Sequence, residues 1–122
     1  MRLNDRPRST WPPRLPTGNV GGMSEIAAPD LPAAADAIDL ANRIVGKAVR
    51  HLAETGGPDV HQVLAYDLAH AASGVATARS LLDYGAKGDV EAKITCAFAA
   101  DMLHDLAGKV LGREAEWGVD RD

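Results

Sequence analysis

The stretch from His61 to Val119 reads as two long helices joined by a four-residue turn, and a turn that short obliges them to pack antiparallel. Val60, Leu64, Leu68, Ala71, Val75, Ala78 and Leu82 recur at intervals of three and four and trace one apolar face for about six turns. Asp59 stands where an N-cap belongs, and Arg79 and Asp83 are spaced for an i,i+4 ion pair on the outer side. Gly85 stops this helix, and Gly85-Ala86-Lys87-Gly88 forms the turn. Asp89 is placed to cap the next helix, with Glu91 in its positive first turn. Ile94, Phe98, Met102, Leu106 and Val110 then form a ridge that Gly112 ends. A strict i+4 row drifts around a helix of 3.6 residues per turn, so this helix is expected to touch two neighbours.

A third helix precedes these two. It starts near Asp30, which can cap, or Pro32, which suits a first turn. Ile38, Ala41, Val45, Ala48 and Leu52 form its apolar stripe, with Asp39, Arg43, Lys47, Arg50 and Glu54 opposite. Gly46 either costs about 1 kcal/mol relative to alanine or marks a close helix contact. Gly56-Gly57-Pro58 ends the helix. No segment reads as a strand. The expected fold is all-α: an antiparallel bundle of three long helices over residues 30–113, a disordered Pro/Arg/Gly-rich leader over 1–29 and a tail over 114–122 that carries Trp117.

Composition narrows what such a bundle can do. At 122 residues the chain makes one domain at most. Aromatics are 4% of residues and alanine dominates the apolar fraction, so the core is aliphatic and each residue buries little area. Helices of this kind pack closely but stabilise weakly, which favours help from a partner surface. The net charge of −4 argues against non-specific nucleic-acid binding, which needs clustered Lys and Arg. The single cysteine, Cys96, excludes an internal disulfide and a Cys-based zinc site, and its surroundings read as those of a small buried hydrophobe. No apolar run approaches the ~20 residues that span a bilayer, so no membrane role is expected and the cytoplasm is the expected compartment.

The leader carries Arg2, Arg6, Arg8 and Arg14 against Asp5, with Pro7, Pro12, Pro13 and Pro16 blocking helix. Met23 opens the phrase MSEIAAP, which reads as a natural protein start, so residues 1–22 are expected to be an upstream extension. Peptide mapping of the native protein checks this: a peptide covering Trp11 overturns it.

One constellation bears on chemistry. Asp67-Leu-Ala-His70 and Asp101-Met-Leu-His104 are both D-x-x-H, and folding about Gly85–Ala86 sets Asp67 opposite His104 and His70 opposite Asp101. The arrangement resembles the paired E-x-x-H logic of di-iron bundles. Asp is shorter than Glu, however, and the two further carboxylates from other helices are missing. Cross-helix hydrogen bonding or charge pairing is the reading that these residues favour. Ser73 and Ser80 lack an activating base, and Tyr66 and Tyr84 suit a helix seam. No Gly-rich phosphate loop or nucleophile elbow is present. No catalytic, cofactor-binding or metal-binding residue is assigned.

The phrases HQVLAYDLAHAAS, LLDYGAKGDVEAKI and FAADMLHDLAGK resemble the N-terminal helical extension of large acyl-CoA dehydrogenases, of the methylsuccinyl-CoA dehydrogenase type. The resemblance covers the second half of the chain well and the first helix weakly. A fainter similarity is to the C-terminal bundle of ordinary acyl-CoA dehydrogenases, where a helix pair ends in a G-x-G stretch; Trp117-Gly118 sits at that point here. The resemblance implies a helical domain before a flavin-binding core in which a carboxylate removes an α-proton and FAD takes the β-hydride. No residue here matches that base and no FAD-binding residue is carried over, so the chain is expected to be truncated before the catalytic core and inactive alone. The expected function is an accessory domain that packs against a dehydrogenase core or pairs with itself. The alternatives are a stand-alone dimerising bundle and a small metal-binding bundle.

Overall fold

The computed structural model describes residues 28–120. The expected leader lies, but for its last two residues, outside that range. Three long helices follow in up-down-up order: α1 (Leu31–Glu54), α2 (Gln62–Gly85) and α3 (Asp89–Val110), with a short α4 (Glu114–Trp117) at the end. Among the described residues there is no strand. The fold is the all-α antiparallel bundle that the periodicity predicts.

In α1 the sequence rules operate without interference. The Asp30 side chain accepts from the Ala33 amide at 3.0 Å, and Pro32 occupies the first turn. The buried residues are Ile38, Ala41, Val45, Ala48 and Leu52, the predicted stripe. Thr55 closes the helix through its hydroxyl, which donates to the His51 carbonyl at 2.7 Å. Gly56 and Gly57 then take φ of 120° and 79°, a backbone that only glycine adopts without strain. Gly46 has nothing within 4 Å of where a Cβ would stand, so it marks no close contact.

Helix α2 departs from expectation at both ends. Its N-cap is His61, without a side-chain cap, and not Asp59, because residues 58–60 form a turn before the helix. Val60 belongs to that turn and is exposed. The rest of the predicted face holds: Leu64, Leu68, Ala71, Val75 and Ala78 are buried, and Leu82 packs at the edge of the core. The expected Arg79–Asp83 pair is replaced by Arg79–Asp39 at 3.0 Å, which crosses from α2 to α1. Gly85 does not end the helix through a left-handed backbone. It lies within the last turn, where a Cβ would stand 2.7 Å from Thr95 Oγ1 and 2.9 Å from Leu31 Cδ2. Close approach of α1 and α3 requires glycine there.

Helix α3 begins one residue earlier than expected, with Gly88 at the N-cap and Asp89 and Glu91 in the first turn. Its buried stripe is Ala92, Thr95, Ala99, Met102 and Leu106. Only Met102 and Leu106 of the predicted ridge are fully buried. Ile94 is exposed and Phe98 and Val110 are half-buried, because the i+4 row winds away from the core as the drift argument requires. Thr95 is 1% exposed, and its hydroxyl lies 3.0 Å from the Leu81 carbonyl and 2.8 Å from that of Glu91, which satisfies it inside the helix seam. Cys96 is half-buried and not the fully buried hydrophobe expected.

Residues 114–120 of the expected tail fold onto the bundle. Trp117 is 0% exposed and is the largest fully buried side chain. Complete burial of an indole removes 150–250 Å² from water, roughly 4–6 kcal/mol. Gly118 takes φ 65°, and a Cβ there would collide with the His51 ring, so α4 is seated directly on the end of α1. One defect accompanies this: the Trp117 indole N–H is buried without a hydrogen-bond partner.

Candidate functional site

The two expected cross-helix pairings fare differently. Asp67 is held by Arg113, from the turn before α4, at 2.7 Å. The same guanidinium makes two 2.8 Å hydrogen bonds to Glu116. Hydrogen bonds to Glu116 and then Asp67 raise the Arg113 pKa, and the Arg113 hydrogen bond holds the Glu116 carboxyl below its ordinary range. A permanent cation with a planar fork outcompetes an imidazole for Asp67. The expected Asp67–His104 apposition is therefore replaced by Asp67–Arg113. The His70 ring lies against Tyr66, with centroids 4.5 Å apart. His70 and Asp101 do face one small cavity of about 190 Å³ between α2 and α3, together with Asp105, but no hydrogen bond joins them among the described residues. Asp105 is held below the ordinary carboxylate range, chiefly by its hydrogen bond from Lys109 and less by His70 and His104. Charge pairing accounts for Asp67 and ring packing for His70. Among the described residues no group of three or more His, Cys, Asp or Glu is arranged to hold a metal ion.

Two hydroxyls on α2 are occupied by their own helix: Ser80 donates to the Ala76 carbonyl at 3.1 Å, and Thr77 to that of Ser73 at 2.9 Å. Neither is poised as a nucleophile.

An apolar surface feature lies elsewhere, along the seam where α1 and α3 run parallel. Leu40 and Ile44 of α1, Leu103 and Val110 of α3, and Leu111 and Val119 beyond it enclose an apolar cleft of about 570 Å³. Leu40 is 50% exposed and Leu111 78%. Glu114 and Asp120 close its lower end. Leu103 also lines a second hollow of about 390 Å³ toward the start of α1, with Ala33, Ala34, Cys96, Ala100 and Lys93. The seam is thus open along most of its length. Small residues explain this: alanines at 33, 34, 99, 100 and 107 leave ridges too low to fill the space between the helices.

Sequence reasoning had a signal for the cleft. Cys96, Ala100, Leu103, Ala107 and Val110 recur at intervals of four and three, as do Ala33, Ala37, Leu40 and Ile44. Each is a second stripe beside the one that packs the core. A smaller exposed apolar corner is formed by Val60, Val63 and Tyr66 at the start of α2. Among the described residues no helix is long and apolar enough to cross a membrane.

No protein-family model, curated protein or solved structure matches this chain. The comparisons add no family to what the residues and the geometry show.

Proposed function

We propose that the chain is a helical interaction domain that acts by docking its apolar surfaces onto protein, without chemistry of its own. The open cleft between α1 and α3 carries this reading: leucine, isoleucine and valine side chains line an apolar groove on a bundle whose alanine-rich core stabilises weakly. The enzyme that such a domain serves is an acyl-CoA dehydrogenase, on the support of the His61–Val119 phrases; FAD and the proton-abstracting carboxylate belong to that enzyme's core. The corner of Val60, Val63 and Tyr66 is the surface offered to it.

Size-exclusion chromatography with flavin absorbance detection tests the reading. The chain is mixed with a purified flavin-loaded core of a methylsuccinyl-CoA dehydrogenase-type enzyme. Flavin absorbance co-migrating with the chain, and lost with Tyr66→Asp, is the expected result. Separate elution overturns the dehydrogenase assignment. The isolated chain is expected to show no flavin absorbance and to reduce no electron acceptor with an acyl-CoA; turnover by the chain alone overturns the non-catalytic reading.

A further inference from the structure

We infer that the occupant of the α1–α3 cleft is a second copy of this chain, related by a two-fold axis that passes near Leu40 and Leu103. The inference rests on the docking reading and names the partner for one of its surfaces. Three observations carry it.

The first is the charge pattern of α1. Asp36 and Arg43 are both exposed, flank the half-exposed Leu40 and lie about two turns apart on one side of the helix. Neither takes part in an ion pair among the described residues. An antiparallel copy of α1 crossing at Leu40 sets Asp36 opposite the copy's Arg43, and Arg43 opposite its Asp36. A two-fold interface is self-complementary by construction, so one residue pair yields two contacts.

The second is the polarity of the groove ends. Lys93 borders the upper hollow beside Asp30, whose carboxylate is engaged in capping α1, while Glu114 and Asp120 border the lower end of the cleft. The axis that pairs Asp36 with Arg43 also brings Lys93 over the copy's acidic end. A parallel arrangement would instead set Asp36 against Asp36, Arg43 against Arg43 and the two acidic lower ends against each other.

The third is size. From Lys93 to Val110 the helix rises about 25 Å, and two neighbouring helices are about 20 Å across. The flat footprint is roughly 500 Å², and a ridged surface presents more accessible area than its projection. This approaches the ~800 Å² per partner of a standard specific interface. The alanines at 33, 34, 100 and 107 that leave the seam open let the helices of a second copy approach closely.

Sedimentation equilibrium on the full chain tests the inference through charge complementation. The wild type is expected to have twice the chain mass. Asp36→Arg and Arg43→Asp alone are each expected to weaken self-association about tenfold, since both symmetric contacts become repulsive. An equimolar mixture of the two variants is expected to recover the wild-type dimer, because each then faces opposite charges. Leu40→Asp is expected to weaken it further, by about a hundredfold, through an unpaired charge buried at the centre. All three positions are exposed in the single chain, and unchanged helical circular dichroism serves as the control for folding. A monomeric wild type, a dimer indifferent to both reversals, or variants that fail to complement overturn the inference. A monomer that still carries a flavoprotein core would leave the docking proposal standing. A complementing dimer that never takes up flavoprotein would remove the enzyme assignment and leave the dimer.

Discussion

Single glycines decide how closely this bundle can pack, and they do so in opposite ways. Gly85 has no room for a methyl group: Thr95 Oγ1 and Leu31 Cδ2 would both lie under 3 Å from it. Gly85→Ala is expected to lower stability by about 1–3 kcal/mol in urea denaturation, the usual range for overpacking. Part of that loss should vanish in a Gly85→Ala/Thr95→Ala double variant, since Thr95 supplies the nearest atoms; strict additivity would contradict this account. Gly46 is the reverse case. It sits in mid-helix with open space around it, so Gly46→Ala is expected to raise stability by about 1 kcal/mol in the same assay. Both glycines stand inside helical patterns in the sequence. Nothing local separates them, because the difference lies in what another helix places beside each one.

At the scale of elements, α4 is where periodicity fails and contact takes over. Four residues form no stable helix alone, because helix nucleation is unfavourable. The Arg113 hub linking Asp67 to Glu116 and the buried Trp117 hold it in place. Glu116 has its pKa depressed by Arg113. A carboxylate whose folded pKa lies below its unfolded value adds stability above the unfolded value and loses it as the pH falls through the folded one. Arg113→Gln is therefore expected to lower the melting temperature at neutral pH, by the equivalent of about 1 kcal/mol for partly exposed pairs. The gap from wild type should close as the pH falls below 4.5, the ordinary Glu value, and a gap that stays constant down to pH about 2 would refute the assignment. The element boundaries teach the same lesson. Asp59 and Asp89 are good caps by type, yet the chain caps with His61 and Gly88, because the positions of the turns are set by how α2 must meet α1 and α3.

At the scale of the whole bundle, Trp117 is the largest fully buried side chain among the described residues, in a core otherwise built from Ala, Val, Leu, Ile and Met. Trp117→Ala is expected to cost about 3–5 kcal/mol, a large share of the stability of a domain this size, and to show as loss of cooperative unfolding by circular dichroism. Trp117→Phe should cost far less, since it also removes the buried N–H that has no partner. The stripe of α1 and most of that of α2 were legible because a residue on the core side of a helix declares itself by spacing alone. The cleft was written in a second, weaker stripe of small residues, which periodicity cannot distinguish from surface alanine. Of the D-x-x-H residues, His70 and Asp101 face one cavity as their register implies, whereas Arg113, distant in sequence, took Asp67.

What the sequence determined by itself is the helical class, the antiparallel order and the inward face of α1. These follow from local forces, which are the 3.6-residue period, the Asp30 cap and the glycine stops, and such forces act between residues a few positions apart. Only the tertiary structure decided that Trp117 joins the core, that Arg79 pairs with Asp39 and Arg113 with Asp67, and that α1 and α3 leave a cleft between them. Each depends on the distance between segments far apart in the chain, and helix spacing depends on the sum of side-chain volumes at a seam. No single residue states that sum, so the surface through which the molecule is proposed to act emerged only with the packing.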